Sequence, residues 1–473
     1  MIPRSLALLI GLAVYAHPGH AGMPAPVIPE GFAIQVKQER VTLAQLQEIA
    51  ALGFAYVRTG IWWDNVELHQ RGAMRWDVPI ARFAPDPSLP DPMQTSFETF
   101  IAQARRAGLK VLVTMYHGNI LYTGGQVPVM NTHGKIEHQL AAPRTPEQIA
   151  AFANFAAATA RHFSGRYGAE NFIWSIWNEP NMDTDFPPRH DPAIFGDVLL
   201  QSCRAIKQAV PGAPVIGPDI TVIQGKGEGE IDYDFIKKML RHANVLTCID
   251  AFSLHPYRPF PPDTVAADYR RIRKILRPYS RAAGREVPIA VDEWGYTMHS
   301  HRRAIDHPEA DDPAVEQAAL LARFYLVNLA EGVPLATWYE WQDDGDDPKE
   351  GEHGFGIVAL SGRKKPAHAT AKTLIATLRG MKFSRKLAGA GCKRAQAQFY
   401  LFAPASSGGR APILAAWSDR AGAGFTIAVA AVADGQNFTL EKPGGRAAFA
   451  LGPLPRYITI KDGAALDIAC SAP

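Results

Sequence analysis

Phe172-Ile173-Trp174-Ser175-Ile176-Trp177-Asn178-Glu179-Pro180 decides the fold of this chain. It opens as a six-residue run of apolar and aromatic side chains, broken only by Ser175. A run that short, rich in aromatic and β-branched residues, reads as a strand buried on both faces. It ends in an amide, a carboxylate and a proline. Pro180 has no N–H to offer a ladder, so pairing is expected to stop there, and the residue before a proline is biased towards extended backbone. Glu179 is therefore expected at the C-terminal mouth of a buried strand, beside Trp177. Burial among aromatics raises the pKa of a carboxylic acid, which suits a general acid.

Outward from this stretch, strands and helices alternate. Upstream, strands are predicted over Phe32 to Val36, Phe54 to Val57 and Lys110 to Met115. Downstream they are predicted over Pro214 to Gly217, Ala251 to Leu254, Val287 to Val291 and Leu335 to Glu340. The helices between them carry explicit start signals. Thr42 with Gln45, and Thr145-Pro146 with Gln148, are capping boxes, and Asp191-Pro192 and Asp312-Pro313 pair a cap with proline at the first position. Eight strand–helix units in series indicate a closed (β/α)8 TIM barrel, an α/β fold, over residues 22–380. No glycine-rich phosphate turn follows the first strand, which argues against a nucleotide fold.

Near Gly380 the helical periodicity stops. Phe399 to Phe402, Ile413 to Trp417, Phe425 to Ala430 and Tyr457 to Ile460 are strand-like and separated by turn residues, so residues 381–473 are expected to form a small β-sandwich-like domain. Its expected role is a structural appendage; Trp417 and Tyr457 offer a sugar-binding alternative. At the other end, Arg4, the apolar run Leu6 to Ala16 and the small residues after it fit a signal peptide over 1–21. A periplasmic or secreted protein is expected, with no membrane span after cleavage. The four cysteines match no zinc spacing. Cys392 and Cys470 are expected to staple the C-terminal segment; Cys203 and Cys248 either pair or stay buried thiols. A net charge of +3 over 473 residues argues against a nucleic-acid surface. No metal, no cofactor and a monomer are expected.

In TIM barrels the reacting groups collect at the C-terminal ends of the strands. Those ends here are Arg58, His117, Asn178, Glu179, His255, Tyr257, Glu293 and Trp341. The set was chosen by position alone, yet it holds two glutamates, on the fourth and seventh strands. Two carboxylates facing one pocket are what glycosidic bond cleavage requires. Glu293 is preferred over its neighbour Asp292 because strand side chains alternate faces; Asp292 is expected to point outward or to pair with a neighbour. Trp62, Trp63, Tyr116 and Tyr122 lie in the loops, with His117, and either line further sugar subsites or pack the loops. The run Asp343-Asp344-Gly345-Asp346-Asp347 offers carboxylates to calcium or to an amino sugar, but it lacks EF-hand spacing and reads better as a solvated acidic loop. His299, His301 and His307 read as loop histidines.

Trp177-Asn178-Glu179-Pro180 and Glu293-Trp294-Gly295 resemble the two signatures of the clan A retaining glycoside hydrolases. With the long early loops, His255-Pro256-Tyr257 and the C-terminal β-domain, the chain looks most similar to glycoside hydrolase family 39 over residues 31 to 380. That family includes β-xylosidases, α-iduronidases and endoglycosidases of biofilm exopolysaccharides. The resemblance implies Glu179 as acid/base and Glu293 as nucleophile, with a covalent glycosyl-enzyme and net retention. It further implies that Asn178 binds the 2-hydroxyl of the reacting sugar, that Arg58 and Tyr257 keep Glu293 ionised, that His255 shapes the same subsite and that Trp341 stacks under the sugar. The long aromatic loops suggest an extended cleft and endo action on a polysaccharide. The alternatives are an exo-acting β-xylosidase-like enzyme on short oligosaccharides, a non-catalytic carbohydrate-binding protein, and a cell-surface scaffold built on the β-domain.

Overall fold

The computed structural model describes residues 22–80, 95–131, 134–223, 229–299, 304–406, 410–432, 439–441, 445–461, 464 and 466–472. The expected leader and His301 lie outside the described residues. Eight parallel strands close into a barrel: β1 (Phe32–Gln35), β2 (Tyr56–Trp62), β3 (Lys110–Tyr116), β4 (Phe172–Ile176), β5 (Val215–Thr221), β6 (Ala251–His255), β7 (Ile289–Trp294) and β8 (Ala336–Trp338). Each pairs with its neighbour in sequence, and β1 closes on β8 through Phe32 opposite Ala336. The surrounding helices are α1 (Leu43–Leu52), α2 (Phe97–Arg106), α3 (Pro146–Tyr167), α4 (Pro192–Ala209), α5 (Tyr233–His242), α6 (Ala266–Ala282), α7 (Pro313–Ala330) and α8 (Pro366–Leu378). The caps form as the residue types require. Thr42 and Thr145 close capping boxes with Gln45 and Gln148, and Asp191 accepts from the amides of Ala193 and Ile194.

The interior explains why the strands read as almost wholly apolar. One residue from each strand or its start packs into a single inner layer: Ala33, Tyr56, Leu112, Ile173, Ile216, Ala251, Ala290 and Leu335. Their strand neighbours, such as Ile34, Val57, Val111 and Trp174, face the helices in the outer core. Two residues further along each strand the interior turns polar: Gln35, Arg58, Thr114, Ser175, Ser253, Asp292 and Thr337, all buried. On β5 the polar residue comes one position late, at Asp219. There the pairing to β6 shifts, with Gly217 opposite Phe252 but Ile220 opposite Leu254. This bulge lets β5 run through Pro218 and past the end predicted at Gly217.

The C-terminal strands form two four-stranded antiparallel sheets. The first is β9 (Met381–Leu387), β10 (Ala397–Pro404), β11 (Ile413–Ser418) and β15 (Arg456–Thr459). The second is β12 (Gly424–Ala428), β13 (Thr439–Glu441), β14 (Arg446–Ala450) and β16 (Ile468–Ser471). Phe399, Leu414, Phe425 and Phe449 fill the space between them. The opposite face of the first sheet, with Met381, Phe402, Ala415 and Trp417, joins the core of the barrel. Trp417 is fully buried and lies 5.8 Å from the Arg323 guanidinium, so the sugar platform considered for it is absent. Arg323 itself bridges Asp263 of the barrel and Asp419 of the β-domain. Both cysteine pairs are bonded, Cys203 to Cys248 and Cys392 to Cys470. Among the described residues no helix is long and apolar enough to cross a membrane.

Candidate active site

Glu179 and Glu293 meet at the C-terminal mouth of the barrel. A carboxylate oxygen of Glu179, a carboxylate oxygen of Glu293 and a ring nitrogen of His255 all lie within 4.8 Å of one another. The chain reaches this arrangement by two irregularities. Beyond β4 the Trp177 amide still bonds the Met115 carbonyl at 2.8 Å, and then the backbone turns: Trp177 has φ 72° and Glu179 φ 43°. Pairing therefore ends at Trp177, before Pro180, and Glu179 is not in the extended conformation predicted from the proline. Two further non-glycine residues with positive φ, His117 at 78° and Asp219 at 54°, lie at the same end of the barrel. Such conformations cost about 1–3 kcal/mol each and persist where the surrounding packing imposes them.

The second irregularity is on β7. Ala336 pairs with Val291 and Trp338 with Trp294, so three steps on β7 face two on β8. Asp292 keeps the inward register set by Ala290, and the extra residue lets Glu293 also reach the mouth. Asp292 thus does not point outward. It is fully buried, with Oδ1 3.3 Å from His255 Nε2 and Oδ2 3.7 Å from Arg58 Nη2. After Trp294, Gly295 passes so close to β8's continuation that a β-carbon would sit 1.8 Å from the Tyr339 carbonyl.

The two carboxylates have different partners. Glu293 accepts from Arg58 Nη1 and, at 2.9 Å, from the Tyr257 hydroxyl. Burial alone would raise its pKa, but the His255 and Arg58 charges and the Tyr257 hydrogen bond outweigh it and hold Glu293 below the usual carboxylate range. Burial and the neighbouring Glu293 keep Tyr257 well above its ordinary value, so its hydroxyl stays a donor. Glu179 accepts from His255 Nδ1 at 2.8 Å, and its side chain is 20% exposed. It is not enclosed by aromatics as predicted: Trp177 turns away and donates its Nε1–H to the Asp185 carbonyl at 2.7 Å.

Beneath them lies a charged floor. Arg58 is not a strand end but the middle of β2, and its side chain is 4% exposed. It donates to Gln35 at 3.0 Å and Asn178 Oδ1 at 3.1 Å, and lies 3.9 Å from Asp219. His255 is fully buried. Burial opposes its charged form, yet Glu293 and Asp292 raise its pKa well above the ordinary value, so both ring nitrogens carry a proton. Asp219 accepts from Ser175 at 2.8 Å, and burial and the adjacent Asp292 push it well above the carboxylate range. Asp185 accepts from Asn178 Nδ2 at 3.0 Å and from Thr184 Oγ1 at 2.9 Å, and burial beside Glu179 raises it to about 7.

Asp219 and Asp185 were not picked out from the sequence. Asp219 sits beyond Gly217, where the fifth strand was expected to end, and Asp185 sits in a loop. The remaining expectations divide. His117 stacks on Trp62 at 5.7 Å and lies 3.4 Å from Asp64. Trp63 is fully buried and bonds Glu67, and Tyr122 stacks on it while donating to the same carboxylate at 2.6 Å, so both pack the loop. Trp341 is 2% exposed and packs toward His368 on α8, so it offers no face for stacking under a sugar. The acidic loop is not simply solvated: Asp343 pairs with Lys365 at 2.7 Å and Asp344 with Lys37 and Arg40 at 3.2 and 3.1 Å. His307 is 5% exposed, its Nδ1 accepting from the Glu309 amide.

Two trios could offer ligands to a metal among the described residues: Glu179, His255 and Glu293, and Asp219, His255 and Asp292. His255 belongs to both and is held in its charged form with a proton on each ring nitrogen, while Arg58 already supplies positive charge between the carboxylates. The donor set does not fit a cation.

No family model and no curated protein matches the chain. Solved structures do. A family 39 glycoside hydrolase from Bacteroides cellulosilyticus WH2 shares 22% identity, covering 93% of this chain and 82% of that one, with a TM-score of 0.66. A monomeric β-xylosidase from Caulobacter crescentus CB15 shares 18% over 89% and 76%, with a TM-score of 0.54. A family 30 endoxylanase from Clostridium papyrosolvens C71 shares 12% over 93% and 98%, with a TM-score of 0.56. The closed barrel followed by antiparallel sheets is the fold of the family 39 glycoside hydrolases.

Proposed function

We propose that the chain is a family 39 retaining O-glycoside hydrolase, exported to the periplasm or beyond, that cleaves a polysaccharide by double displacement. The observation that carries this reading is the approach of Glu179 and Glu293 oxygens to within 4.8 Å. Retaining glycosidases hold their carboxyl groups ~5–5.5 Å apart, and inverting ones leave ~6.5–9.5 Å for a water. The partners then assign the roles. Arg58, His255 and Tyr257 favour the ionised form of Glu293, which a nucleophile needs and an acid does not. Glu179 is the acid/base. In the first step Glu293 attacks the anomeric carbon while Glu179 gives its proton to the leaving oxygen, and a glycosyl ester forms on Glu293. In the second, Glu179 takes a proton from water, which attacks the same carbon from the opposite face and frees Glu293. Asn178, held between Arg58 and Asp185, presents its amide to the 2-hydroxyl of the reacting sugar.

Ile120, and Met130 and Ile136 at the paired ends of the hairpin Gln126–Met130 and Ile136–Leu140 that follows β3, are 60–66% accessible and favour an open cleft over a closed pocket. That supports internal cleavage of a polymer such as an exopolysaccharide; an exo-acting β-xylosidase-like enzyme would release single sugars from the end. Proton NMR of the first-formed product tests the mechanism. The anomeric configuration of the substrate is expected to be kept, and its inversion would refute the assignment. Product sizes early in digestion of xylan and bacterial exopolysaccharides separate the two modes of action.

A further inference from the structure

Beside the catalytic mouth lies a cavity of about 420 Å³. It falls within the size range of small-molecule sites. One wall is the loop that follows Glu179, with Met182, Asp183 and Thr184; the facing wall is α5, with Asp234, Phe235 and Lys238. The shared loop ties this cavity to the carboxylates. The Met182 amide donates to the Glu179 carbonyl at 2.9 Å. Thr184 donates to Asp185, Asp185 accepts from Asn178, Asn178 accepts from Arg58, and Arg58 donates to Glu293. An unbroken relay of hydrogen bonds therefore runs from the cavity wall to Glu293.

We propose that this cavity is a leaving-group-side subsite that takes a pyranose residue without a carboxylate, either neutral or amine-bearing. The inference rests on the assignment of Glu179 as the acid, since the acid serves the departing sugar and its own loop builds the wall. The charge of the lining sets the class. Asp183, Asp232 and Asp234 line the space with Lys238 as the one lysine or arginine among them; Asp234 pairs with Lys238 at 2.9 Å, Asp232 caps α5 through the Phe235 amide and Asp183 holds His190 at 2.6 Å, which leaves an excess of carboxylate oxygens over cations. Like charges repel a carboxylated sugar, whereas hydroxyls and ammonium groups find acceptors. Met130, Met182 and Phe235 add apolar surface for the C–H face of a ring.

The test uses Lys238→Trp and Asp234→Trp, which fill the cavity from its α5 wall; those side chains are 56% and 69% exposed, so the helix has room for either change. Affinity for xylotetraose, chitosan tetraose and tetragalacturonate is measured by calorimetry on full-length Glu293→Gln protein with and without each tryptophan. The first two are expected to bind with Kd at least tenfold weaker in both tryptophan variants, and tetragalacturonate is expected not to bind. On otherwise native protein, hydrolysis of an aryl β-xyloside, whose leaving group is no sugar, should stay within twofold while xylotetraose turnover falls at least tenfold. Equal losses on both substrates, unchanged xylotetraose affinity, binding of tetragalacturonate, or no binding of any tetrasaccharide would overturn the subsite. Cavity-dependent binding with no hydrolysis by the native protein would overturn the catalytic assignment, and with it the leaving-group role, and leave the cavity a sugar-binding site only.

Discussion

Replacing Arg58 by methionine tests how this barrel keeps Glu293, the proposed nucleophile, ionised. The guanidinium is buried, bonds Glu293, Gln35 and Asn178, and lies within 3.9 Å of Asp292 and Asp219. Methionine keeps most of the volume and removes the charge. An opposite charge at such range lowers a carboxylate's pKa by ~1–3 units, so the acidic limb of kcat/KM should move up by that amount. At ~1.4 kcal/mol per unit this is ~1.4–4 kcal/mol, close to the ~3–5 kcal/mol expected for breaking a buried ion pair. The sign follows from linkage. Glu293 has a depressed folded pKa, so it contributes stability above its unfolded value of ~4.3 that is lost as pH falls through the folded value. The variant lacks most of that contribution, so its deficit should be largest near neutrality and shrink in acid. The assay is a pH profile of aryl glycoside hydrolysis beside urea denaturation at ~pH 7 and ~pH 4. An acidic limb that stays in place, or a deficit equal at both pH values, would refute the electrostatic role.

Other outcomes follow from the same geometry. Glu179→Gln should lower kcat on sugar leaving groups by ~10²–10⁴, spare substrates with strongly activated phenols, and regain turnover with azide; no rescue by azide would count against Glu179. His255→Gln should cost stability below ~pH 6.5, where the raised histidine contributes fully, and the cost should vanish as pH rises through the native His255 value; a deficit that grows with pH would contradict a charged His255. Arg323→Met should destabilise the protein by ~3–5 kcal/mol, because Asp263 and Asp419 lose a shared buried partner; denaturation unchanged from the native protein would show that the bridge between barrel and β-domain does not matter.

Much of the fold was legible because local signals agreed. Caps at Thr42, Thr145, Asp191 and Asp312 opened helices where predicted, and the eight apolar runs became the eight barrel strands. Strand ends were read less well. The second strand was expected to end at Arg58, whereas the interior of this barrel is polar at that level, and β2 continues to Trp62. A period-two reading from the inner layer Ala33, Tyr56, Leu112, Ile173, Ala251, Ala290 and Leu335 would have found Arg58, Ser175, Ser253 and Asp292 facing inward together. The bulges at Asp219 and Glu293 break that period, so no simple rule of alternation could place both. Trp341 misled for the opposite reason: an aromatic at a strand end packs a core as readily as it stacks on a sugar, and here it meets His368. Asp185 had no strand to announce it, and only the folded loop brings it to Asn178.

The central claim is that Glu293 forms a covalent bond to the sugar. A 2-deoxy-2-fluoro glycoside with an activated leaving group slows the second step and lets the intermediate accumulate. Peptide mapping by mass spectrometry should then find one added glycosyl group on the peptide carrying Asp292, Glu293 and Trp294, with fragmentation placing it on Glu293. A label on Glu179 or Asp292, or turnover of the substrate with inversion and no label at all, would contradict the account.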